Sequence, residues 1–169
     1  MTHLLRFTLL GAVASLGASC ACAPKSTANA PTSHVRISKV RTTAYTHTEA
    51  GGSRNAVGRR LSNNEVKSAA ADWSRWPLGT KFRILDTDEV FEIDDYGSAL
   101  VGTGTIDLYK SNRLAMKKWG VRSVDIDVIE WGSTEKSLQV LAPRKKNSIV
   151  RKMIFALSKS AEEADTTKF

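Results

Sequence analysis

Cysteine is almost missing from this chain: there are two, Cys20 and Cys22, both near the N-terminus. Any domain beyond them has no internal disulfide and must be held by its own core. Histidine is as scarce, with only His34 and His47 outside the first 22 residues. Without a cysteine pair beside them no zinc ligand set is legible, so no metal is expected. No nucleophile elbow is present either, which leaves Ser/His/Asp catalysis unsupported. No apolar run reaches the roughly 20 residues that span a bilayer. Acidic residues are in deficit, 17 against 25 lysines and arginines, giving a net charge of +8. A balance that basic points to an anionic partner. Nucleic acid is not expected, because zinc-finger spacing, an aromatic RNA-binding signature and a helix-turn-helix pattern are all lacking.

What is present begins with a leader. Residues 1–22 read as a secretion signal, with His3 and Arg6 ahead of the apolar stretch Phe7 to Leu16 and then small residues. Gly17-Ala18-Ser19-Cys20 resembles the lipobox of bacterial lipoproteins, which makes Cys20 a lipidation site and the protein an exported, membrane-anchored one of the cell envelope, in the periplasm or on the outer membrane. Ordinary cleavage after Ala21 is the alternative. Residues 23–34 are small, polar and proline-containing, as in a disordered tether with a reach of roughly 40 Å.

From Val35 the pattern is that of short strands. Val35 to Tyr45 is β-branched and basic, Phe82 and Ile84 alternate with basic residues, and Val124, Ile126 and Val128 alternate with Asp125 and Asp127. Such spacing argues for an all-β barrel over residues 35–132 rather than a parallel sheet. Ser111 to Trp119 is the one clear internal helix, with Ser111 expected as N-cap and Gly120 as its stop. The glycine- and asparagine-rich run Thr48 to Lys67 reads as a loop. Within the extension 133–169, Asn147 to Ser160 reads as a C-terminal amphipathic helix, with Ile149, Met153 and Leu157 on one stripe and Arg151, Lys152 and Lys159 off it. It either packs on the barrel or touches membrane or wall polymer.

The carboxylates stand out next. Alternation in Phe91-Glu92-Ile93-Asp94-Asp95 puts Asp95 with the apolar pair, as the buried member, and Asp94 on the solvated face. In Thr105-Ile106-Asp107-Leu108-Tyr109 the parity is reversed, and Asp107 stands away from the apolar face, as a groove-lining carboxyl would. Acidic residues at strand ends also cap turns, which is the plain structural reading of each. Trp73 and Trp76 either wall a groove beside Asp72 or fill the barrel end.

Thr43-Ala44-Tyr45 with Gly51-Gly52, Ala71-Asp72, Pro77-Leu78-Gly79-Thr80, Asp95-Tyr96-Gly97, Ile106-Asp107-Leu108-Tyr109 and Trp119-Gly120 follow one another in an order that resembles the three-aspartate (3D) domain of lytic transglycosylases and smaller cell-wall proteins. The resemblance covers residues 41–131. It departs at Trp73, where a proline is usual, at Tyr96 and Ser98 in the second motif, and by one extra residue between Asp95 and Asp107. It implies a six-stranded double-psi β-barrel, a monomer without cofactor, acting on peptidoglycan glycan strands. Asp107 takes the position of the single catalytic acid, with Asp95 raising its pKa and Asp72 orienting the pair. Tyr45, Glu49 and Tyr109 fall where a sugar would be contacted.

The reaction so implied is a lytic transglycosylation. One carboxyl protonates the oxygen between N-acetylmuramic acid and N-acetylglucosamine, then takes the proton of the muramyl 6-hydroxyl as a 1,6-anhydro ring closes. The altered second motif keeps a non-catalytic, expansin-like glycan-binding barrel in view. A hydrolase would need a second carboxylate to activate water.

Overall fold

The computed structural model describes residues 34–49 and 51–166. The expected secretion signal, Cys20 and nearly all of the expected tether lie outside the described residues. Six strands close into a mixed barrel: β1 (Val35–Tyr45), β2 (Val66–Ala70), β3 (Lys81–Ile84), β4 (Val90–Asp95), β5 (Ile106–Tyr109) and β6 (Arg122–Glu130). Around the barrel the order is β1-β5-β2-β4-β3-β6, and β6 returns to β1. The β1–β5 and β2–β4 pairs are parallel; the other four are antiparallel. Closure leaves no free edge, so a small sheet with no disulfide still satisfies its backbone.

Strand alternation fills the interior. Phe82, Ile84, Phe91, Ile93, Ile106, Leu108 and Ile126 are fully buried, and the Phe82 and Phe91 rings stack with centroids 5.7 Å apart. The strand β2 had no clear signature, because Val66-Lys67-Ser68-Ala69-Ala70 is short and carries small residues; partners on both sides, β4 and β5, make it a strand.

Helix α1 (Arg113–Trp119) is the internal helix, but its N-cap is Asn112, whose side chain accepts from the Ala115 N–H, and not Ser111. Gly120 ends it at φ 64°, in the left-handed region that favours glycine. A second helix, α2 (Thr134–Leu141), capped by Ser133, has no counterpart in the sequence reading; it precedes a short 3-10 turn and α3 (Ser148–Thr166). These helices join the barrel core: Leu141, Val150, Met153 and Leu157 are buried within it, and the Ser137 hydroxyl accepts from the Leu78 N–H. Arg151, Lys152 and Lys159 are exposed. Where β6 leads into α2, the backbone passes so close to the 77–80 turn that a Cβ on Gly132 would lie 2.2 Å from the Pro77 carbonyl oxygen. Only glycine fits there. Among the described residues no helix is long and apolar enough to cross a membrane.

Candidate functional site

The strand pairings build an acidic row. Asp107 on β5 is registered with Thr43 on β1 and with Ala70 on β2, and Ala70 is registered in turn with Asp95 on β4. One strand, β2, lies between the carboxylates, so their backbones are two strand spacings, roughly 10 Å, apart with the Ala70 methyl between. Tyr45, two residues beyond Thr43, sits in the field of Asp95, Asp94 and Asp107 together. Its ring packs edge-on against Tyr109 at 5.6 Å.

Each carboxyl has its own surroundings. Asp107 is half-buried and accepts a 2.6 Å hydrogen bond from the Thr43 hydroxyl. Burial raises its pKa, the Thr43 bond offsets part of this, and the charge of Glu49 raises it again. The acidic neighbour that acts on Asp107 is therefore Glu49, on the turn after β1, and not Asp95. Asp95 is pushed up to about 6, chiefly by burial, against hydrogen bonds from the Tyr96 and Ala56 N–H groups; nearby Asp94 raises it and Arg144 lowers it.

The parity expected for Asp94 and Asp95 fails. The β2–β4 register slips between Ala69 and Ala70, so that Ala69 faces Ile93 and Ala70 faces Asp95, with Asp94 as the extra residue. A bulge of this kind resets the alternation. Asp95 leaves the Phe91–Ile93 face and is only half-buried, whereas Asp94 is 5% exposed rather than solvated. The loop after β1 reaches it through Asn55. Asn55 Nδ2 and the Ser68 hydroxyl each donate to Asp94 Oδ2 at 2.7 Å, while its Oδ1 finds no donor among the described residues. Burial raises this carboxyl's pKa and the two donors oppose the rise.

Asp72 is not part of the row. Its carboxylate accepts from the Ser74 N–H and hydroxyl and from the Gly102 N–H at 2.7–2.9 Å, tying the turn after β2 to the loop before β5. These three bonds make it a turn holder, and none of them runs to Asp95 or Asp107. Trp73 fills the interior, fully buried with Nε1 bonded to the Asp95 carbonyl, whereas Trp76 is buried, stacks on Trp131 and also lines a cavity.

Tyr45 and Tyr109 are drawn to the row, Glu49 to its exposed rim. The Tyr45 hydroxyl is buried and has no hydrogen-bond partner among the described residues. Burial first, then the three aspartates, raise its pKa, so it remains a protonated donor. Tyr109 Oη lies 2.9 Å from His47 Nδ1. Thr43, Asn55, Ser68, Asp94 and His47 were not singled out as site residues from sequence. No local pattern marks them, because each meets the row through a pairing or a loop 26–64 residues away.

Among the described residues, no group of three or more histidines, cysteines or carboxylates is arranged to hold a metal ion. What the row offers is proton donors: two carboxyls displaced toward their acid forms and a phenol with an unused O–H. No family model matches the chain, and no curated protein sequence matches it.

Proposed function

We propose that this chain is an exported lytic transglycosylase of the bacterial cell wall, built on a double-psi β-barrel and anchored to a membrane by lipid on Cys20. The observation that carries the reading is the row Asp107–Ala70–Asp95 with the unpaired Tyr45 hydroxyl beside it. Glycosidic cleavage needs a carboxyl that still holds its proton near neutral pH, and both row carboxyls are displaced that way.

Asp107 is the acid in this reading. It protonates the oxygen leaving the muramyl carbon, that carbon–oxygen bond breaks, and Asp107 then accepts the proton of the muramyl 6-hydroxyl as the 1,6-anhydro bond forms. Asp95, protonated below about pH 6, donates to a nearby sugar oxygen, with the buried Tyr45 hydroxyl beside the row. Burial raises the pKa of Asp107 and the charge of Glu49, at the exposed rim, adds to that rise. The surplus of basic residues holds the protein on the anionic wall.

One geometric fact favours a second reading, hydrolysis with inversion. Asp107 and Asp95 stand on either side of one strand with backbones roughly 10 Å apart, a spacing that admits a water between two carboxyls as inverting glycosidases require. Mass spectrometry of the soluble products from purified peptidoglycan separates the cases: 1,6-anhydro ends are expected, reducing ends would replace transglycosylation by hydrolysis, and binding without release would leave a glycan-binding barrel. For the anchor, Cys20→Ala is expected to move the protein to the soluble envelope fraction; unchanged fractionation would remove the lipid from the reading.

A further inference from the structure

A second feature lies next to the row. A cavity of about 510 Å³ is lined by Lys39, Arg41, Arg75, Trp76, Thr103 and Thr105, among others, and none of its lining residues is acidic. Arg41 donates to the Thr105 hydroxyl at 3.0 Å, and Thr43 donates to Asp107 at 2.6 Å. Arg41 lies two residues before Thr43 on β1, and Thr105 two residues before Asp107, just ahead of β5, so the cavity begins roughly 7 Å along the chain direction from Asp107.

Three cations on one cavity wall repel one another unless an anion joins them. The nearby carboxylates are engaged elsewhere: Asp125 accepts from the Lys39 backbone N–H, and Asp72 takes the N–H groups of Ser74 and Gly102. Arg75 is held flat on the wall, its guanidinium carbon 3.5 Å from where a Cβ on Gly104 would stand. Trp76, 4% exposed, brings an indole N–H that has no acceptor among the described residues. A buried donor without an acceptor is costly, and this one belongs to a ring that lines the cavity. The sequence alone gives no sign of this, since Lys39, Arg41, Arg75 and Trp76 read only as scattered basic and aromatic residues.

We infer that this cavity is an oxyanion subsite that takes a carboxylate or phosphate carried by the polymer bound across the row. The inference rests on the proposed function only for the polymer being a glycan. The site itself is testable without turnover. In the full chain labelled with 15N, four tryptophans give four indole signals, of which Trp73 and Trp119 are bonded internally. Titration with N-acetylmuramic acid, which bears a carboxylate, is expected to shift the Trp76 signal. Neutral N-acetylglucosamine at the same concentration should leave it in place, and inorganic phosphate tests the phosphate source. Arg75→Gln should weaken the muramic acid response at least tenfold, while Asp107→Asn, outside the cavity, should not.

A silent Trp76 with both anions, an equal response to the neutral sugar, or an unchanged response in Arg75→Gln would overturn the subsite. So would a Trp76 shift seen with phosphatidylglycerol vesicles but with neither soluble anion, which would make the cavity a lipid contact. Wall cleavage with a silent Trp76 defeats the subsite alone; a responsive Trp76 with no cleavage defeats the catalytic reading alone.

Discussion

Strand β4 carries carboxylates at both ends, and their surroundings drive them in opposite directions. Glu89, just before the strand, is pushed up by burial, but hydrogen bonds from Lys67 at 2.5 Å and Lys110 at 3.1–3.2 Å hold it below the usual range. Lys110 is itself 8% exposed, with its ammonium over the Phe91 and Trp119 rings. Asp94 and Asp95, at the other end, share burial but have no lysine, and both are raised. One end is a closed ion cluster that holds the barrel together. The other keeps proton donors at the expense of stability.

The comparison breaks most sharply at Asp107. Asp107→Asn keeps the Thr43 hydrogen bond and the shape but removes the transferable proton. Product release from peptidoglycan is expected to fall by roughly 10² to 10⁴-fold with the melting temperature nearly unchanged. Full activity in a folded Asp107→Asn protein would move the acid to Asp95.

Glu89→Gln is the largest expected loss of stability. It leaves Lys110 buried beside two rings without its counter-ion, at a cost of about 3 kcal/mol, read by urea unfolding at pH 7. Glu89 has a depressed pKa, so the stability it gives is present above the unfolded carboxyl value and is lost as pH falls through its folded one. The difference between parent and variant should therefore shrink in acid.

Asp95→Asn should do the reverse. A carboxyl raised to about 6 binds its proton more tightly in the folded state, so its charge costs stability above that pH. The variant is expected to be more stable than the parent by about 1 kcal/mol at pH 7.5, after solvent screening is allowed for, with the gain vanishing below about pH 4. Activity should fall in the same protein. A loss of stability at pH 7.5 would show that the contacts of Asp95 with the Tyr96 and Ala56 N–H groups outweigh its desolvation.

Asp94→Asn gives the smallest expected effect and, set against Asp94→Ala, the finest test. Asp94→Asn keeps an oxygen for Asn55 and Ser68, so stability should change by less than about 0.5 kcal/mol, whereas Asp94→Ala loses both buried bonds and should cost about 2 kcal/mol. Equal effects would mean that the charge, and not the hydrogen bonds, holds the loop over the barrel.

Sequence alone determined the elements whose signal is local. Alternation marked β3, β5 and β6, the Gly120 stop marked the end of α1, and Ile106 and Leu108 put Asp107 off the apolar face, because side-chain direction follows from the backbone of a few neighbouring residues. Local rules failed where pairing decided the outcome. The slip opposite Ala69 and Ala70 turned Asp95 out of the apolar face and left Asp94 under the loop held by Asn55; no periodicity within β4 records what β2 does. The same holds for Asp72, whose partners Ser74 and Gly102 come from separate turns, and for Arg41 and Trp76, which share a cavity only once the barrel has closed. A residue's type and its immediate neighbours fix which way its chain runs. What its side chain meets is set by contacts between segments far apart in sequence, and those exist only in the folded barrel.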